Sequence, residues 1–221
     1  MLLRPRFSAL TLLILGTVCP PCSFAAAAHD SGEAAGIASL RNFLATVQSL
    51  QASFTQRVVD VREQVVEESS GTVVMQRPGR FRWDYRQPFE RVIVADGERV
   101  WLYEADLEQV TIRQLRSGIG DTPAALLTGK ESVLERFTVS RTWRQDGLEW
   151  VSLKPRSVDS DFAAVALGFD RQVLRQLRLD DRLGQQTRLT LTEVRLNTPV
   201  APDAFRFTTP AGADVIDDSE L

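Results

Sequence analysis

The chain of 221 residues holds two cysteines and one histidine, and all three stand within its first 29 positions. Everything after His29 therefore lacks the commonest metal ligand, the usual general base and any thiol nucleophile. The P-loop and the dinucleotide glycine fingerprint are missing too, which removes the standard cradles for nucleotide phosphates. No apolar run is long enough to span a bilayer as a helix: the longest, Phe7 to Val18, has its core at Leu10 to Val18 and falls short of about 18 residues. A strongly basic balance is absent as well. The formal charge is −3 with signs interspersed, which argues against a nucleic-acid partner.

What is present begins with an N-terminal segment unlike the rest. Arg4 and Arg6 precede the apolar run, then come Pro20-Pro21 and the alanines Ala25 to Ala28. Charged, apolar and small-residue regions in that order predict a secretory signal over residues 1–28, removed on export, and one domain over residues 29–221. Removal takes two arginines and no acid, so the charge moves to −5. It also discards Cys19 and Cys22, whose Cys-Pro-Pro-Cys spacing mimics a redox motif but follows no strand. The remaining domain would have to hold together in an oxidising compartment by packing alone.

A carboxylate-only enzyme survives these absences, because a glycosidase needs two acids and nothing else. The adjacent pairs Glu67-Glu68, Asp180-Asp181 and Asp217-Asp218 are the nominees. Neighbours on a strand point to opposite faces, so the plainer reading is solvated turns and strand ends.

From Ala34 to Ser49 the apolar residues Ile37, Leu40, Phe43, Leu44 and Val47 recur at helical spacing. The period then drops to two. Phe54, Gln56 and Val58 share one face, Val73, Met75 and Arg77 another, and Phe81, Trp83 and Tyr85 a third. Asp96-Gly97 and Asp146-Gly147 mark hairpins, and Arg182-Leu183-Gly184 suits a longer turn. About ten or eleven antiparallel strands make a large curved sheet or barrel. Asp121-Thr122-Pro123 reads as a helix start, followed by Ala124, Ala125, Leu126 and Leu127, and a second short helix fits Glu131 to Arg136. These helices must bury their apolar faces on the concave side of the sheet. If they only plug it, the interior is an ordinary core; a sheet that nearly closes can also enclose a ligand cavity.

The stretches Leu50 to Gln56, Arg77-Pro78-Gly79-Arg80-Phe81-Arg82-Trp83, Gln87-Pro88, Val94 to Gly97, Val100 to Tyr103, Asp121-Thr122-Pro123 and Phe205 to Gly212 together resemble the LolA family of periplasmic outer-membrane lipoprotein carriers. The resemblance keeps order and spacing over almost the whole chain after the signal. It implies an unclosed antiparallel β-barrel of about 11 strands, with an N-terminal helix and short helices forming a lid over an apolar cavity. It also implies a periplasmic monomer with triacylated lipoproteins as cargo, the inner-membrane Lol ABC transporter as donor and the outer-membrane receptor LolB as acceptor. Neither enzyme chemistry nor a cofactor or metal is implied. The job makes physical sense: one sixteen-carbon chain left in water costs on the order of 12 kcal/mol, at about 0.8 kcal/mol per methylene.

The resemblance gives Arg77 the role of lid latch, its guanidinium bonding lid carbonyls, and Phe81 that of a partner contact at the rim. Arg77 could otherwise be a solvated strand-end arginine and Phe81 a core aromatic. Phe54, Val58, Trp83, Trp101, Leu126 and Leu127 are the residues expected to line the acyl-chain cavity or lid, with core packing as the alternative for each. Ala124 and Ala125 depart from the family, which carries bulkier apolar residues there. Two other functions remain open: a LolB-like acceptor, which would need a lipidated N-terminal cysteine that Val18 and Pro21 disfavour, and the carboxylate hydrolase.

Overall fold

The computed structural model describes residues 30–115, 123–129 and 131–218. The expected signal segment, both cysteines, His29 and the helix start at Asp121-Thr122 lie outside them, as do the side chains of Ala124 and Ala125. The helical periodicity becomes α1 (Asp30–Thr46). It ends sooner than the spacing suggests because a distant residue caps it. The Asn197 amide donates to the Thr46 carbonyl at 3.1 Å, and its oxygen accepts from the amides of Gln48 and Ser49 at 2.7 and 3.3 Å.

The chain then runs up and down through β1 (Ser49–Val59), β2 (Val65–Gln76), β3 (Arg80–Gln87), β4 (Arg91–Asp96), β5 (Arg99–Glu104) and β6 (Gln109–Gln114). A short helix, α2 (Pro123–Thr128), and a 3₁₀ turn, Glu131–Arg136, interrupt the meander. It resumes with β7 (Phe137–Gln145), β8 (Leu148–Pro155), β9 (Phe162–Asp170), β10 (Val173–Asp181) and β11 (Gln186–Leu196). One strand was not anticipated. β12 (Asp214–Asp217) joins β6 in parallel, giving a twelve-stranded sheet in the order β12-β6-β5-β4-β3-β2-β1-β11-β10-β9-β8-β7. The two meanders are joined where β1 pairs with β11, and the sheet stays unclosed, with β7 and β12 at its edges.

Strand alternation sorts the sheet into two faces. Leu50, Ala52 and Phe54 of β1, Val73 and Met75 of β2, Phe81 of β3 and Ala95 of β4 lie on the inner face. They share a core with Leu40, Phe43 and Leu44 of α1 and Leu126 and Leu127 of α2. α1 lies on the half of the sheet made by β7 to β10, where Gly36 permits close approach: a Cβ there would sit 2.6 Å from the Trp150 carbonyl oxygen. Ser39 adds a hydrogen bond to Glu149 at 2.9 Å.

The outer face is also furnished. Trp150 is fully buried there, stacked on Trp143 at 5.4 Å with Arg178 at 4.1 Å from its ring. Its ring lies over Gly168, where any Cβ would meet it at 2.9 Å. Residues 197–213 cross the outside of the first meander before β12 begins. On the way Gln51 bonds Thr198 and Pro199, Arg80 stands 5.9 Å from the ring of Phe205, and Phe207 stacks on Trp101 at 6.3 Å.

Candidate functional site: a buried arginine between two helix ends

Arg77 directly follows β2, continues its inward alternation and is 7% exposed. A guanidinium so placed must use its donors. Its Nη1 donates to the carbonyls of Phe43, Leu44 and Val47, at 3.1, 2.7 and 2.8 Å. Nε and Nη2 both donate to the Leu127 carbonyl, at 3.2 and 3.1 Å. The Phe43, Leu44 and Leu127 oxygens belong to the last turns of their helices, where the macrodipole is negative, and Val47 follows α1 directly; Phe43 also accepts from the Val47 amide at 3.1 Å. One cation therefore holds the C-terminal ends of α1 and α2 against the sheet. Phe43 adds its ring, 5.0 Å from the guanidinium carbon. Main-chain bonds reinforce the junction: Arg77 donates to Gln48 at 2.9 Å and Gly79 to Thr128 at 3.3 Å. Burial pushes the Arg77 pKa down to about 10, which leaves it cationic at neutral pH.

The remaining candidates divide by face. Phe54, Trp83 and Tyr85 form an aromatic group inside the sheet: the Phe54 ring stands edge-on to Trp83 at 5.1 Å and to Tyr85 at 4.9 Å. Leu126 and Leu127 are buried in the same core. Phe81 is buried there as well, so it is not exposed at a rim in this closed arrangement. Val58 follows the inward alternation of β1 but is half-buried near the strand end. Trp101 is on the other side of the sheet. Its β4 partner is Val94, whose own β3 partner is Arg82, and it stacks on Phe207 beneath the crossing segment. It therefore does not join the other candidates around the interior.

Among the described residues, side chains of α1, α2 and the inner face of the sheet pack against one another. Two depressions lie elsewhere, about 320 and 890 Å³ in volume. The smaller lies below Tyr85, beside Ser69 and Phe89; the larger includes Arg86, Arg175, Glu193 and Arg195. Both mix polar with apolar walls. Tyr85 closes the apolar core on that side, its phenol donating to Gln56 at 3.1 Å. Burial, with a smaller push from Glu67 against a pull from Arg91, raises the Tyr85 pKa to about 12.

Sequence reasoning missed Asn197 and Phe207, whose partners are remote along the chain. Three of the six acids nominated for hydrolysis have the following partners. Glu68 pairs with Arg57 at 3.1 Å, Asp180 accepts from Gln186 at 2.7 Å, and Asp181 accepts from the turn amides of Leu183 and Gln185, both at 2.8 Å.

The site is thus an unclosed sheet whose apolar inner face is covered by helices, with one buried arginine bonded to both of them. Comparison with known proteins makes this specific. Residues 45–208 match the family described as outer membrane lipoprotein carrier protein LolA. An outer-membrane lipoprotein carrier protein of Methylobacillus flagellatus is 37% identical over 96% of this chain and 98% of its own length. Another, from Nitrosospira multiformis, is 41% identical over 83% of this chain and 89% of its own. An uncharacterized conserved protein of Thermus thermophilus shares the fold, with a TM-score of 0.51 at 17% identity, over 83% of this chain and 98% of its own. The chain belongs to the LolA family, which consists of carriers rather than enzymes.

Proposed function

We propose that this protein carries lipoproteins through the periplasm, sheltering their acyl chains between the sheet and the two helices once the Arg77 latch releases. The observation that carries the reading is the latch itself: its bonds to α1 and α2 persist only while both helices lie on the sheet. Lifting α2 away exposes the inner aromatic group and Leu126 and Leu127, an apolar surface suited to hydrocarbon. The empty protein closes because the guanidinium recovers its acceptors and the core repacks. Cargo arrives from an inner-membrane Lol ABC transporter and leaves to the outer-membrane receptor LolB, with the carrier acting as a monomer after loss of residues 1–28. Loading work then comes from the transporter, in keeping with a chain that holds no nucleotide cradle.

Arg77→Leu tests the latch. It removes charge-assisted bonds worth about 1.5–3 kcal/mol in total, so the closed empty state loses stability relative to the loaded one. The variant should still take lipoprotein from inner-membrane spheroplasts, yet pass it to receptor-bearing membranes at least about tenfold more slowly, a change that needs only about 1.4 kcal/mol. Normal transfer by a folded Arg77→Leu protein would rule out the latch.

A further inference from the structure

The end of the sheet opposite Arg77 has a pattern of its own. Antiparallel pairing brings the β1–β2, β3–β4, β5–β6, β8–β9 and β10–β11 turns to that one end. Each turn presents one large apolar side chain: Val61, Phe89, Leu107, Val158 and Leu183, which are 61 to 84% exposed. Val65 and Val66, at the start of β2, are exposed beside them. Elsewhere among the described residues, the exposed large apolar side chains are Val139, Val215 and Ile216 on the edge strands. The turns at the Arg77 end carry Pro78, Gly97, Gly147 and Arg171 instead. A single exposed valine is ordinary; one apolar tip in each of five neighbouring turns is a contact surface.

Two of the turns are rigidly built. The Asp60 carboxylate accepts from the amides of Arg62 and Gln64 at 2.8 and 2.9 Å, and Asp181 repeats the arrangement in the β10–β11 turn. The tips they carry, Val61 and Leu183, are thus fixed outward. The charge around the tips has one dominant sign: residues 60–64, 87–90, 105–108, 156–161 and 181–185 hold eight carboxylates and three guanidiniums.

We infer that this rim docks a protein partner whose contact face sets Lys and Arg around apolar sockets. Charge complementarity selects that occupant, since the acidic border would be repelled by an anionic bilayer and attracted to a cationic protein face. The inference stands on geometry and charge at the far end of the sheet, independently of the latch and of lipoprotein carriage.

The test places the photo-cross-linking residue p-benzoylphenylalanine at position 89 or 107 of the full chain in its own cell, with positions 139 and 216 as edge-strand controls. The rim positions should give one common protein adduct that the controls do not, with the cross-linked peptide flanked by Lys or Arg. Glu90→Lys combined with Asp106→Lys should lower the position-89 yield at least about fivefold, because like charges now face one another. Thermal unfolding checks that the variant folds, and Asp106→Lys alone serves if the pair does not. No rim adduct above the controls, or a yield indifferent to charge reversal, would overturn the inference. So would rim-dependent co-sedimentation with phosphatidylethanolamine–phosphatidylglycerol vesicles, since it would make the occupant a bilayer. A lipoprotein release assay on the same variants reports separately on carriage.

Discussion

Tyr85 and Arg77 stand at opposite ends of the inner face, and burial acts on both. For Tyr85 the folded pKa lies above the unfolded value of 10.0, so the phenol keeps its proton longer in the fold. Its contribution to stability is complete below pH 10 and is lost as pH rises toward 12. In a Tyr103→Phe background, which leaves Tyr85 as the sole tyrosine, tyrosinate absorbance should rise with a midpoint near 12 rather than 10. A midpoint at 10 in a protein still folded would show the phenol to be solvated. The inward direction of Arg77 was legible in the sequence, because Val73 and Met75 share its alternation. Its acceptors were not, since they come from two other elements. Trp101 illustrates the opposite limit. Val92, Ile93, Val94 and Ala95 form a run buried or half-buried on both faces, so alternation there cannot say which side meets the helices.

At the scale of elements, α2 depends on its neighbours. Its six residues are too few to be helical alone. Packing of Leu126 and Leu127, the Arg77 bonds to Leu127 and the Gly79–Thr128 bond secure it. Leu127→Glu tests whether this is lid or core. A lid can lift the new charge into water, so thermal unfolding should shift modestly while lipoprotein uptake from spheroplasts falls sharply. Were Leu127 core, the buried carboxylate would cost several kcal/mol of a total near 5–15 kcal/mol and the fold would collapse. The amphipathic period of α1, the alternation of the main strands and the Asp-Gly hairpins were all readable from local residues. β12 was not. Its four residues are all exposed, and its parallel pairing with β6 depends on a crossing whose anchor residues lie far away in sequence.

Across the whole molecule, the sheet is held by backbone ladders while its helical cover is held by side-chain packing and the Arg77 bonds. Hydrogen exchange should therefore separate them. Loading with lipoprotein should speed exchange of the α2 amides and those of residues 131–136, and leave the β1–β2 and β1–β11 ladders protected. Faster exchange along those ladders would mean that cargo enters by parting strands rather than by lifting helices.

The seam between β1 and β11 also sets a timetable for folding. β1 can pair with β2 as soon as their hairpin exists, but its other edge waits for a strand that begins at Gln186. A chain synthesised or threaded from its N-terminus thus exposes an unpaired strand edge, with its amides and carbonyls free to pair, until nearly all of it has emerged. The same late arrival, through Asn197, caps α1. Maturation is therefore gated by the tail of the chain: truncation before β11 should leave a sheet with an open inner edge and an uncapped helix, a species prone to aggregate rather than a smaller carrier.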